Sequence, residues 1–147
     1  MDKIIERVSS MKTGKYRIVN VLAFVGMVIV NFLSNTIPFN GLTQADISKK
    51  YANLLVPAGF TFSIWGLIYL LLAAFIVYQL IAFFKEGIEE ESGYVEKIGW
   101  LFLISSLANI AWLFAWHYLR IFLSVIIMLV LLVTLITIYR RLEIGKK

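Results

Sequence analysis

The sequence predicts an all-α protein, a polytopic bundle of four membrane-spanning helices forming one domain over residues 1–147, and three observations carry that reading. Hydrophobic residues make up 61% of the chain against 16% charged, more apolar surface than a soluble core of this length can bury. The charges fall in clusters that leave uncharged runs at 18–45, 51–84, 98–119 and 121–139, each at or near the roughly 20 residues a helix needs to cross a bilayer. None of the runs has the period-two alternation of barrel strands. Backbone amides in hydrocarbon must therefore be bonded within each segment, as a helix allows.

The first span is expected at about 18–38. It is longer than the apolar stretch of a signal peptide and ends Asn35, Thr36, Ile37, Pro38 rather than in a small-residue cleavage site, so it is read as retained. An outer loop follows over 39–56. Its Asn40-Gly41 pair signals a turn, and Thr43 with Asp46 three residues later has the spacing of a capping box. A short amphipathic helix over the mouth of the bundle is expected there. The second span covers about 57–84. After it, Glu86, Glu89, Glu90, Glu91 and Glu96 stand against Lys85 and Lys97, the pattern of a solvated turn. The third span is expected at 98–117 and the fourth at 121–140. With only His117 to Arg120 between their apolar runs, these two must form a tight antiparallel hairpin. Trp100 and Tyr139, near span ends, read as interfacial belt residues, and His117 as a polar boundary residue.

Eleven basic residues lie in the N-terminal segment, the loop after the second span and the C-terminal tail, whereas Lys49, Lys50 and Arg120 alone face the other side. The positive-inside rule then places both termini in the cytoplasm, as in an integral protein of a bacterial inner membrane. The same distribution turns the net charge of +5 toward lipid headgroups. No nucleic-acid partner is expected, because the basic residues flank spans instead of covering one folded face. Absence of cysteine removes disulfides, thiolate nucleophiles and thiolate metal sites.

No Asp, Glu, Lys or Arg lies centrally in a span, although proton-driven exporters usually keep an ionisable group there. This weighs against the small multidrug exporters, which share only the helix count. The spans carry neutral polar and aromatic side chains instead. Ser105, Asn109, Trp112 and Trp116 are spaced by four, three and four residues, which is one face of one helix. Phe62, Trp65, Tyr69 and Ala73 repeat the pattern on the second span, and Met27, Asn31, Ser34 and Asn35 share a face of the first. Turned inward, these stripes would line a cavity suited to a large apolar ring ligand. They would serve equally as helix contacts in a structural membrane subunit, and spacing alone leaves the two readings open. No nucleophile stands at a usable spacing from a base, so neither an enzyme nor a metal or cofactor site is expected.

The run VPAGFTFSIWGLIY at 56–69 and the run LANIAWLF at 107–114 resemble, in spacing and order, two motifs of the TspO/MBR family, the tryptophan-rich sensory proteins related to the mitochondrial translocator protein. The resemblance covers roughly residues 20–140 and includes the long loop after the first span. It implies a membrane receptor or carrier, sensory or transporting, for tetrapyrroles such as protoporphyrin and for other hydrophobic ligands. Trp65 and Tyr69 would form part of the pocket wall, with Asn109 and Trp112 facing them, and Pro57, Phe62 and Trp116 complete the candidate ligand-binding residues. A rarer alternative is an enzyme that degrades a bound porphyrin, with the tryptophans as redox-active rings. The family has five spans, against four here. The chain is thus expected to be the leading part of a longer protein, a shortened product, or a subunit that closes its bundle as a homodimer, the first two being favoured. It also departs from the family around Ala58-Gly59, where an aromatic residue is expected, and its first loop holds Tyr51 but no tryptophan.

Overall fold

The computed structural model describes residues 2–37, 39–50, 63–84 and 89–143. All regular structure among them is helical: α1 (Asp2–Thr36), a single 3-10 turn (Phe39–Gly41), α2 (Gln44–Lys50), α3 (Ser63–Phe84), α4 (Glu89–Ile98), α5 (Leu101–His117) and α6 (Ile121–Arg141). By length and composition, Met11–Thr36 of α1, Ile64–Ile81 of α3 and the whole of α6 can each cross a membrane, and α5 is a shorter apolar helix beside them. These four, alternating in direction, bring both termini to one end of the bundle. We call that the terminal end, and the opposite one the loop end.

Helix α1 is longer than its apolar segment alone would make it. Its 35 residues extend about 52 Å at 1.5 Å per residue, against roughly 30 Å of hydrocarbon. The excess projects from the terminal end, where α4 packs on it. The acidic run read as a solvated turn is thus partly helical. Val95 and Ile98 of α4 are buried, and Thr13 of α1 donates a 2.8 Å hydrogen bond to Glu96. Two apolar positions three residues apart suffice once the neighbouring helices supply the surface they cover. Gly99 then turns the chain into α5 with φ +50°, a conformation that costs a side chain with Cβ about 1–2 kcal/mol. Tyr16 packs edge-on against Trp100 at 5.5 Å, and Lys15 lies 5.4 Å above the same indole, so the interfacial tryptophan is tied to α1.

In cross-section the spans follow the order α3, α1, α5, α6, with the α5–α6 hairpin and the α1–α5 pair making the closest associations and α3 resting mainly on α1. The hairpin closes through a Schellman turn. Arg120 N–H bonds Ala115 O at 2.8 Å and Leu119 N–H bonds Trp116 O at 3.0 Å, with Leu119 in the left-handed region at φ 57°. Between α1 and α3 the buried amides of Asn20 and Gln79 meet at 3.5 Å. Around the outside, side chains such as Leu22, Phe32, Leu70, Phe122 and Val133 are widely exposed, which in hydrocarbon is their favoured state.

The expected helix over the mouth is α2. Thr43 and Asp46 form the reciprocal capping box: Asp46 N–H bonds the Thr43 hydroxyl at 3.2 Å, and Thr43 N–H bonds the Asp46 carboxylate at 3.1 Å. The Thr43 hydroxyl also donates to that carboxylate at 2.6 Å, which holds Asp46 below its ordinary titration range. Ile47 of α2 is fully buried, and the 3-10 turn anchors the loop to α5. Phe39 stacks on Phe114 at 5.2 Å and meets His117 edge-on at 5.5 Å, while Asn40 donates to His117 O at 3.3 Å. His117 is consequently enclosed and not at an open boundary. Its Nδ1 donates to Leu113 O at 2.8 Å, and its Nε2 is buried with no hydrogen-bond partner.

Candidate functional site

The polar stripe of α5 faces inward. Ser105, Asn109 and Trp112 are buried and Trp116 is half-buried, so the four-three-four spacing does mark the face turned toward the other spans. Burial in hydrocarbon obliges each polar group on that face to find a partner. Ser105 and Ser106 donate back to Phe102 O at 2.8 and 2.9 Å. Asn109 cannot satisfy itself within its helix. Its Oδ1 accepts a 2.9 Å hydrogen bond from Nδ2 of Asn31 on α1, and the same nitrogen donates to Met27 O at 2.9 Å. Both amide hydrogens of Asn31 are thereby used. The hydroxyl of Tyr69, from α3, lies beside these two amides and is buried without closing a hydrogen bond.

Next to this polar cluster the aromatic residues form a continuous ladder. Trp65 stacks on Tyr69 of its own helix at 6.1 Å and 30°, as residues four apart on a helix can. Across the helix gap it stacks on Trp112 at 5.4 Å and 20°. Trp112 in turn stacks on Trp116 at 5.9 Å and 20°. Four ring faces from two helices are therefore held nearly parallel, within the separations at which offset stacking is favourable.

A cavity of about 450 Å³ adjoins the ladder, between α3 and α6 with α5 and Met27 of α1 behind it. It exists because α3 and α6 lie at opposite ends of the helix order and barely touch. Trp65, Tyr69 and Asn109 reach into it near the loop end, while Ile98, Ile138 and Leu142 border it at the terminal end. No charged side chain lines it, and the described residues contain no group of three His, Cys, Asp or Glu positioned to hold a metal ion. The lining can stack against a flat body, exclude water and orient one polar substituent. It offers no acid–base pair.

Of the sequence-derived site residues, the structure brings Trp65, Tyr69, Asn109, Trp112 and Trp116 together. Trp65, Tyr69 and Asn109 touch the cavity, whereas Trp112 and Trp116 extend the ladder beyond it. The indole Nε1 of Trp116 is buried without a partner. Pro57 and Phe62 lie outside the described residues. Of the first-span stripe, Met27, Asn31 and Ser34 are buried, but Asn35 is exposed; it reaches back to Asn31 O at 2.8 Å. Sequence reasoning missed the α6 side of the cavity, including Met128, Leu131 and Leu135, and the aromatic pair Phe75 and Phe102, 5.9 Å apart, below the polar cluster. Uniformly apolar helices give no sign of which face meets a cavity. It also passed over Asn20 and Gln79, which a search for amides inside apolar runs would have found.

The family model for TSPO-like proteins matches residues 17–147, which takes in all four spans, the capping helix and every candidate site residue. Neither the curated proteins nor the solved structures contain a match to the chain.

Proposed function

The chain belongs to the TSPO-like protein family, and on that premise we propose that it is a non-enzymatic membrane receptor or carrier that binds a flat, hydrophobic ligand of the tetrapyrrole class at the loop end of its cavity. The observation carrying this reading is the four-ring ladder of Tyr69, Trp65, Trp112 and Trp116 beside an uncharged cavity whose polar groups cluster at Asn31, Asn109 and Tyr69. A macrocycle gains from stacking and from loss of water contact, and the amide cluster fixes its orientation. Occupancy would bias the positions of α2 and the loop over α5, giving a signal or a release step. Both termini would lie in the cytoplasm of a bacterial cell.

Titration of purified protein with protoporphyrin in lipid nanodiscs, following tryptophan fluorescence, tests this. Three of the four tryptophans stand in the ladder, whereas Trp100 is at the terminal end against Tyr16. Saturable quenching is expected in a Trp100→Phe variant and should weaken at least about tenfold in a Trp65→Ala, Asn109→Ala double variant, since stacking and one buried hydrogen bond each contribute about 1 kcal/mol. Equal quenching in both proteins would leave the amides and rings with a packing role only.

A further inference from the structure

On its outer side the α1–α5 pair carries a shallow groove of about 340 Å³. Small residues make its floor, Ala23 and Gly26 of α1 and Ser106 of α5, and Leu22 and Leu107 rise on either side, both widely exposed. Ser106 brings no unsatisfied donor, since its hydroxyl donates to Phe102 O at 2.9 Å. A Cβ placed on Gly26 meets no atom within 4 Å, so the floor is open space and not a contact within the bundle. On α1, Lys15, Val19, Leu22 and Gly26 follow one another at four, three and four residues, which is one face of a helix. On α5, Leu103, Leu107 and Ile110 share a face that continues back to Trp100. The groove therefore runs down to Lys15 and Trp100 at the terminal end. There the Lys15 ammonium is held 5.4 Å above the Trp100 ring, and Lys12, three residues earlier on α1, is exposed. Neither lysine is engaged in an ion pair among the described residues.

We propose that this groove is a lipid site: it takes one acyl chain of an anionic phospholipid from the leaflet at the terminal end, with the phosphate held by Lys12 and Lys15. From Lys15 to Gly26 α1 rises about 16 Å, against roughly 15 Å of hydrocarbon in one leaflet, so a chain lying along the groove has its headgroup level with the lysines. Trp100, 44% exposed, stands at the same level, as belt tryptophans do. Charge complementarity decides the occupant. A second copy of this chain has the same orientation in the membrane, so pairing through the groove would set Lys12 and Lys15 of both copies at one height, like charge against like charge. A phosphate instead neutralises the two lysines, and basic residues beside a span attract anionic headgroups by about fivefold in affinity each. A fifth span, such as the family has, would close the gap between α3 and α6, the two ends of the helix order. Helices α1 and α5 lie in the middle of that order and already pack together, so their outer side still faces lipid. The site uses residues other than the ring ladder and does not depend on a tetrapyrrole.

The test is native mass spectrometry of the full chain after reconstitution into vesicles of equal parts phosphatidylglycerol and phosphatidylcholine. One phosphatidylglycerol per chain should be retained in preference to phosphatidylcholine by about tenfold. In a Lys12→Gln, Lys15→Gln variant, which leaves the groove itself unchanged, that preference should fall to near parity. Gly26→Leu fills the groove where the added side chain meets open space and should lose the retained lipid of either kind, with circular dichroism verifying that both variants are folded. Equal retention of both lipids by the wild type would overturn the proposal, as would an unchanged preference in the glutamine variant. Lipid still retained by Gly26→Leu would overturn it too, by placing the lipid elsewhere on the surface. So would a lipid-free two-chain species that Gly26→Leu abolishes, since a second copy would then fill the groove. No protoporphyrin enters this readout, so its failure and that of the receptor reading are separable.

Discussion

Asn31 is the residue on which the polar centre turns, because one nitrogen ties the backbone of its own helix to the side chain of another. Removing Asn109 leaves an amide hydrogen of Asn31 unpaired in the bundle interior, where an unsatisfied donor costs about 1–3 kcal/mol. Replacing both residues removes the donor together with its acceptor. Asn109→Ala should therefore destabilise the chain by about 1–2 kcal/mol, and Asn31→Ala, Asn109→Ala by less than the sum of the single changes. Unfolding of the four proteins of this cycle in mixed micelles measures the coupling, and strict additivity would mean the contact carries no energy. Tyr69 behaves oppositely, since its buried hydroxyl has no partner. Tyr69→Phe should leave stability within about 0.5 kcal/mol of wild type or raise it, because it removes an unsatisfied group. It should nonetheless weaken protoporphyrin binding. A large loss of stability would show that the hydroxyl is bonded after all.

At the scale of elements, the helices that the sequence announces are those whose signals are local. The capping box of α2 needs only Thr43 and Asp46, and the α5–α6 turn needs only the shortness of 117–120. Helix α4 was hidden because its reason is not local: Val95 and Ile98 are buried only in the bundle, Ile98 in a cluster with Ile76 of α3 and Phe102 of α5, and an acidic run with two apolar positions otherwise reads as a solvated loop. The joint after it rests on Gly99. A Cβ there would meet Glu96 O at 3.3 Å and the Tyr16 ring at 3.9 Å with φ at +50°, so strain and crowding act together. Gly99→Ala is expected to lower stability by about 1–2 kcal/mol. It should also loosen α4 from α1, read as faster amide exchange over 89–98 and a changed Trp100 emission. Unchanged exchange would mean that the α4–α5 joint tolerates the side chain by shifting.

For the molecule as a whole, hydropathy predicts the spans and helical period the inward stripes, but the cavity depends on which helices are neighbours, and no run of residues encodes the order α3, α1, α5, α6. The ring ladder was therefore foreseeable face by face, whereas the α6 wall was not. Orientation is the property in which the entire chain takes part, through the unequal share of basic residues at the two ends. Four alternating spans put the termini together, and eleven cations against three should hold that end inside. The native chain has no cysteine, so single cysteines report without background. In intact cells, Asp46→Cys, exposed on α2, should react with a membrane-impermeant maleimide, and Glu143→Cys, beyond α6, should react only after lysis. The reverse pattern would place the terminal end on the outer surface. If both positions react in intact cells, the number of crossings between them is even and one of α3, α5 and α6 does not span.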